Sequence, residues 1–444
     1  MLKRFALLTL AIVLAVALLP QLADNSSTAV AQDEEVWCGT DEEVTVTLIA
    51  GSVGQEGEIA RQQLDRWAEV CPNVSVDLVA RPDSATETLG QYQQFFEAES
   101  SEIDVYQIDV IWPGILAEHL VDLNEYLDEE VVEAHFPAII QNNTVDGRLV
   151  GIPWFTDAGL LYYRTDLLEK YELDPPETWT ELEEAARTIQ EGERAEGNED
   201  FWGFVWQGNA YEGLTCDALE WQFSSGGGEI ITPDGVIEVN NPETIAIFEQ
   251  ASGWVGDISP EGVTTFMEED ARGVWQAGNA AFMRNWPYAY SLGQAEDSAI
   301  AGLFDVKELP GAEPGMSAAT LGGWQLAVSR YSENVEPAVA LAAFLASPEE
   351  QKMRAIDGSY NPTIADLYED EDILEAAPFF GSLYDVFINA VPRPSTVAAE
   401  QYNDVSQLYY TAVHSILTGE ADAQTAMEDL ELQLADLGFE FPEE

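Results

Sequence analysis

The chain has 444 residues, more than a single hydrophobic core usually spans, so two domains are expected, each long enough to bury a sizeable core. Against 17 Lys and Arg stand 82 Asp and Glu, a formal net charge of −65, yet 46% hydrophobic and 10% aromatic residues are globular values and exclude a disordered acidic polymer. A surface so poor in cations could not neutralise phosphates, which excludes nucleic acid as a partner.

The chain opens with Lys3 and Arg4, an apolar run from Phe5 to Leu19, and small residues ending at Ala29-Val30-Ala31. This is the pattern of a secretory signal peptide over residues 1–31, cleaved before Gln32. The run is shorter than the roughly 20 residues of a membrane span, and Pro20 ends it. Export to the periplasm or the cell exterior is therefore expected. In that oxidising setting three cysteines remain. Cys38 precedes the strand read at Val44 to Ala50 and Cys71 precedes the one at Val74 to Ala80; parallel neighbours would bring both to one sheet edge, so a Cys38–Cys71 disulfide is expected. Cys216, at helical spacing with apolar partners, reads as a buried free thiol. His119, His135 and His414 are far apart in sequence, which argues against a zinc site or a Cys/His catalytic pair. Neither a metal nor a cofactor is expected.

After Val44 to Ala50 come the glycine-rich turn Gly51-Ser-Val-Gly-Gln-Glu-Gly57 and a helix to Val70. The turn lacks the Lys-Ser/Thr pair of a phosphate loop and the spacing of a dinucleotide fingerprint. It presents Glu56 at a helix N-terminus, facing beyond the carboxyl ends of the strands. A strand at Val105 to Pro113 carries Asp109 among Ile108, Val110 and Ile111, where a carboxylate needs a partner. Gly151-Ile-Pro-Trp-Phe-Thr-Asp-Ala-Gly-Leu-Leu-Tyr-Tyr-Arg-Thr-Asp166 then reads as a crossing between two α/β units, with Asp157 held between aromatic residues. Strand and helix alternate on both sides of it. The fold class is therefore α/β, with two doubly wound lobes joined by hinge crossovers. The expected segments are 32–153 and 310–358 in the N-terminal lobe, and 154–309 and the mostly helical 359–444 in the C-terminal lobe.

Trp286, Tyr288 and Trp324 offer flat apolar faces, while Glu56, Asp109, Asp157 and Arg393 offer charged hydrogen-bonding groups; a sugar needs both, for its C–H face and its rim of hydroxyls. Asp109 and Arg393 could equally form a structural ion pair between lobes. The stretches Gly51–Glu56, Gln107–Gly114, Asp157–Arg164, Trp206-Gln-Gly with Tyr211-Glu-Gly-Leu214, Asn285-Trp-Pro-Tyr288, Gly322-Gly-Trp324 and Pro392-Arg-Pro394 together resemble the extracellular solute-binding proteins of ABC sugar importers, in the trehalose/maltose-binding branch. The resemblance implies a two-lobed periplasmic-binding-protein fold that closes on an α-linked gluco-disaccharide and delivers it to a membrane permease, without enzymatic activity. It places Glu56, Asp109, Asp157 and Arg393 on hydroxyls, Tyr211, Trp286, Tyr288 and Trp324 on sugar faces, and Gly323 as a backbone contact. A monomer is expected, and Arg393→Ala is expected to weaken binding while leaving the fold intact. The competing readings are a receptor for another solute, such as a polyol phosphate or other oligosaccharide, and a secreted glycoside hydrolase with paired carboxylates.

Overall fold

The computed structural model describes residues 36–51 and 53–442, so the expected signal peptide lies outside the described residues. Strand β1 (Val44–Ala50) alternates β-branched residues and buries Val46 and Leu48 completely. It pairs in parallel with β2 (Val74–Ala80) over seven residues, and with β3 (Val105–Asp109) on its other side. The crossovers are the helices Glu56–Val70 and Ala85–Glu97; the second is capped by Ser84, whose hydroxyl accepts from the Glu87 amide. Cys38 and Cys71 are joined by a disulfide at the start of this unit.

A two-residue hairpin, β4 (Thr144–Val145) and β5 (Arg148–Leu149), leads into β6 (Ile152–Ala158), buried along its whole length. Strand β7 (Leu160–Arg164) follows after one residue but belongs to a different sheet. The chain thus crosses between sheets at Gly159, where a Cβ would lie 2.0 Å from Glu220 Oε1. In the second sheet β8 (Trp202–Val205) runs parallel to β9 (Ala280–Asn285), and β7 lies antiparallel between β9 and β10 (Phe304–Lys307), giving the order β10-β7-β9-β8. The return strand β11 (Leu321–Val328) inserts antiparallel between β3 and β6, so the first sheet reads β2-β1-β3-β11-β6. Two mixed sheets with helices against them make the two-lobed α/β fold that the alternation of elements pointed to.

The second lobe is centred on Trp179, Trp206, Trp221 and Trp254, all essentially buried, with ring centroids 5.0–5.8 Å apart along the chain of contacts. The helix Glu212–Ser224 runs through this core and is buried at every residue but Phe223. Helix Tyr402–Leu417 packs with it and with Pro242–Trp254, and Ala423–Asp436 packs on Tyr402–Leu417 and Pro242–Trp254. The expected segment 359–444 divides here. Its beginning bonds to the first lobe, with Thr363 held by Gln351 and His135; Phe379 meets the second-lobe Tyr290, and the helices Tyr402–Leu417 and Ala423–Asp436 pack on Pro242–Trp254.

Candidate functional site

The carboxyl ends of β1 and β3, the last turn of β6 and the first turn of β11 meet the starts of two second-lobe helices around one cleft of about 640 Å³, counting its open mouth. The lobes touch at its rim: the Glu212 amide donates to Thr86 Oγ1 at 3.2 Å, and Gln55 Nε2 donates to Ser291 Oγ at 3.5 Å. Glu56, Asp109, Asp157, Tyr211, Trp286, Tyr288, Gly323, Trp324 and Arg393 all line this cleft.

Glu56 opens its helix with its carboxylate folded back over the turn. Gln107 Nε2 donates to Oε1 at 3.1 Å, and Arg81 Nη2 lies 3.4 Å from Oε2. A side chain at Gly51 would displace this carboxylate, since a Cβ would sit 1.6 Å from Glu56 Oε2. Asp109 ends β3 and accepts from the Ile111 amide and from Arg393 Nη2, the latter at 3.0 Å. Arg393 Nη1 donates to Glu212 Oε1 at 2.7 Å, and Glu212 also accepts from Tyr402 and Ser406. The Asp109–Arg393–Glu212 chain is buried throughout and joins the first lobe to the second. Both Nη groups of Arg393 are therefore engaged by protein, and only its Nε lacks a partner among the described residues. Of the two sequence alternatives for Arg393, the geometry contains the ion pair between lobes. It leaves Nε as the remaining donor.

Asp157 is different. It is only 8% exposed, lines the cleft, and its Oδ1 has no hydrogen-bond partner among the described residues. Burial pushes its carboxyl well above the ordinary range, Glu56 and Asp109 add to the effect, and the guanidiniums of Arg354 and Arg284 oppose it. A buried carboxyl poised in this way can accept from, or when protonated donate to, whatever fills the cleft.

The aromatic walls are set rigidly. Trp324 carries Arg81 over its ring at 3.8 Å and meets the edge of Trp112 at 5.5 Å. Trp286 carries Arg284 at 3.9 Å, itself paired with Asp217 and Glu220. Tyr288 donates to Glu269 at 2.7 Å and lies nearly parallel to Tyr360, whose ring centroid is 6.4 Å away. Tyr211 precedes the Glu212–Ser224 helix and lies against Glu268. Gly323 has φ +121°, and a Cβ there would come within 2.7 Å of Phe155 O and Thr156 Cα; its carbonyl accepts from the Val110 amide.

Sequence reasoning missed Arg81, Glu212, Glu268, Phe155 and Tyr360, which also line the cleft. Glu212 stands in the quoted Tyr211-Glu-Gly-Leu214 stretch. Its signal was a helix carrying Glu212, Asp217 and Glu220 among otherwise apolar and small residues, which demands buried cations. Tyr360 follows Ser359, a left-handed cap at φ +56° that no local pattern announces.

The profile of the family described as bacterial extracellular solute-binding protein matches residues 50–352. A Deinococcus radiodurans protein described as a probable ABC transporter-binding protein is 53% identical over 393 residues, 88% of this chain and 93% of the relative. The maltose-bound MalE3 of T. maritima superposes with a TM-score of 0.84 at 41% identity, covering 88% of this chain and 99% of that one. The sn-glycerol-3-phosphate-binding periplasmic protein of Salmonella paratyphi A is 26% identical over 309 residues, 64% of this chain and 65% of its own length.

Proposed function

The chain belongs to the bacterial extracellular solute-binding proteins, and on that premise we propose that it is the receptor of an ABC-type sugar importer. It captures an α-linked gluco-disaccharide, maltose or trehalose, by closing its two lobes like a hinge, and hands it to a membrane permease. One observation carries the sugar reading: a buried, unpartnered carboxyl at Asp157 faces the same cleft as the rings of Trp286, Tyr288 and Trp324. Hydroxyls supply the partners that Asp157 lacks, and the apolar face of a pyranose covers an aromatic ring. In this reading Glu56, Asp109 and Arg393 complete the polar rim, Tyr211 adds a further wall, and Gly323 lets the backbone approach the ligand. The maltose bound by the T. maritima relative supports the disaccharide class.

A polyol phosphate is the second reading, favoured by the relative that binds glycerol 3-phosphate. The electrostatics oppose it. Glu56, Asp83, Asp109, Asp157, Glu212 and Glu268 line the cleft against Arg81 and Arg393, and a dianion entering there would meet repulsion. The test is thermal unfolding of the mature protein at high salt with maltose, trehalose, glucose, glycerol 3-phosphate or buffer alone, followed by sugar analysis of the same samples. A midpoint raised by one disaccharide that is recovered intact supports the receptor. A shift with glycerol 3-phosphate alone would overturn the sugar assignment, and cleaved disaccharide would make the protein a hydrolase.

A further inference from the structure

Behind the cleft lies a cation that does not line it. Arg354, on the helix Pro348–Gly358, is 1% exposed, and its guanidinium sits 4.0 Å from the ring centroid of Trp154, 4.7 Å from Phe155 and 4.5 Å from Tyr360. Phe155 and Tyr360 line the cleft, whereas Arg354 does not. The guanidinium therefore stands one aromatic layer behind the cleft wall. Nη1 donates to Gln63 Oε1 at 3.2 Å, while Nε and Nη2 have no hydrogen-bond partner, and no carboxylate is in salt-bridge contact with Arg354 among the described residues. Glu350, one turn earlier on the same helix, is taken by Arg66 at 2.6 Å. In a chain with 82 acidic residues, a buried guanidinium left without an ion pair is costly, and packing alone would be met by an apolar side chain of similar volume.

We propose that Arg354 is a positioning residue for the solute site: it clamps the Phe155 and Tyr360 rings from behind and lends its positive charge to the wall that Phe155 shares with Asp157 on β6. This rests on the reading of the cleft as the solute site. The helix ends at Gly358 and Ser359 turns left-handed, so Tyr360 is thrown back over the guanidinium of its own helix. Gly358 has no room for a side chain, since a Cβ would lie 2.3 Å from Ile59 Cδ1 and 2.6 Å from the Tyr360 ring. Tyr360 in turn lies nearly parallel to Tyr288 of the second lobe. The charged groups that act on Asp157 are Glu56 and Asp109 on one side, and Arg354 and Arg284 on the other. Arg284 is already paired with Asp217 and Glu220, whereas no carboxylate is in salt-bridge contact with Arg354 among the described residues. An ionised Asp157 accepts from two ligand hydroxyls; a protonated one gives up an acceptor.

The test compares the full mature protein with Arg354→Met and Arg354→Lys, measuring maltose and trehalose affinity from pH 4 to 8 and the unfolding midpoint without sugar over the same range. Arg354→Met is expected to fold with an undiminished midpoint at low pH, to bind sugar more weakly by about tenfold at neutral pH, and to move the pH dependence of binding upwards. Arg354→Lys, which keeps the charge, is expected to recover most of the pH profile. Linkage gives a readout that needs no ligand. Because the folded protein holds the Asp157 proton more tightly than the unfolded chain does, stability falls as pH rises from the ordinary carboxylate range towards the raised folded value. Arg354→Met is expected to carry that fall on to higher pH, and adding Asp157→Asn is expected to abolish the extension. Equal loss of midpoint in both single variants at every pH, with unchanged profiles, would make Arg354 a packing residue and overturn the proposal. If neither sugar binds the parent protein, the disaccharide reading fails by itself, and the ligand-free slopes still decide the role of Arg354.

Discussion

At the scale of single residues, the geometry of Arg393 changes what its removal should do. Its guanidinium holds two buried carboxylates, Asp109 at 3.0 Å and Glu212 at 2.7 Å, and Glu212 gathers Tyr402 and Ser406 as well. Arg393→Ala would strand both carboxylates out of water, so the expectation of an intact fold drawn from the sequence gives way to a substantial cost. Breaking such a buried pair from one side costs about 3–5 kcal/mol. Urea unfolding of Arg393→Ala is expected to show a loss of that order at neutral pH. Adding Glu212→Gln should restore part of it, because burial already pushes the Glu212 carboxyl upwards and a neutral side chain there needs no cation. A variant as stable as the parent would mean that the pair between lobes contributes nothing in solution.

At the scale of elements, the site was most legible where a polar residue interrupts a buried strand. Asp109 among Ile108, Val110 and Ile111, and Asp157 after Trp154 and Phe155, violate the local pattern, and such violations mark residues with a partner to find. The paired sheets were legible for the same reason, since their strands are continuous β-branched and aromatic runs. What stayed hidden depends on contacts distant in sequence. Arg81 reaches Trp324 across 243 positions (324 − 81), and Arg354 is caged by Trp154 and Tyr360 only because the helix Pro348–Gly358 packs under β6. The antiparallel insertion of β11 was also beyond local reading, and it is what brings Gly323 against β6. Gly323→Ala should therefore fail for a steric reason: its Cβ would meet backbone atoms at 2.7 Å, and a non-glycine residue at φ +121° is strained in addition. A loss of at least about 1–3 kcal/mol is expected in denaturant unfolding, with sugar affinity reduced because the pairing of β11 with β6 carries Asp157. The disulfide acts on a different element. It closes a loop of sequence separation 33 that holds β1 and the helix Glu56–Val70, so Cys38→Ser with Cys71→Ser should lower stability by about 4 kcal/mol on the loop-entropy account. A midpoint unchanged by a reductant that demonstrably opens the bond would contradict this.

At the scale of the whole molecule the charge decides the conditions under which everything else holds. Most described cations are committed locally: Lys170 to Glu193 and Glu196, Lys352 to Asp370 and Asp372, Arg187 to Glu183 and Asp257. The remaining acidic surface far outnumbers the cations left to balance it, so compact folding concentrates like charges that the unfolded chain spreads apart. Salt has two opposed effects. It weakens the exposed ion pairs, each worth about 0–1 kcal/mol, and it screens the repulsion among the far more numerous carboxylates, over a distance that falls from about 30 Å at 0.01 M to about 3 Å at 1 M. With acids outnumbering bases 82 to 17, screening should win. The unfolding midpoint is therefore expected to rise as sodium chloride is raised from about 0.01 M to about 1 M, and potassium chloride at equal ionic strength should act alike if the effect is screening and not cation binding. Sugar affinity separates the two proposed ligand classes in the same titration. A neutral disaccharide carries no charge for the field to act on, so once the protein is folded its affinity should stay nearly flat with salt. A phosphate-bearing ligand would bind better as the repulsion is screened, and a steep rise of that kind would argue against the disaccharide.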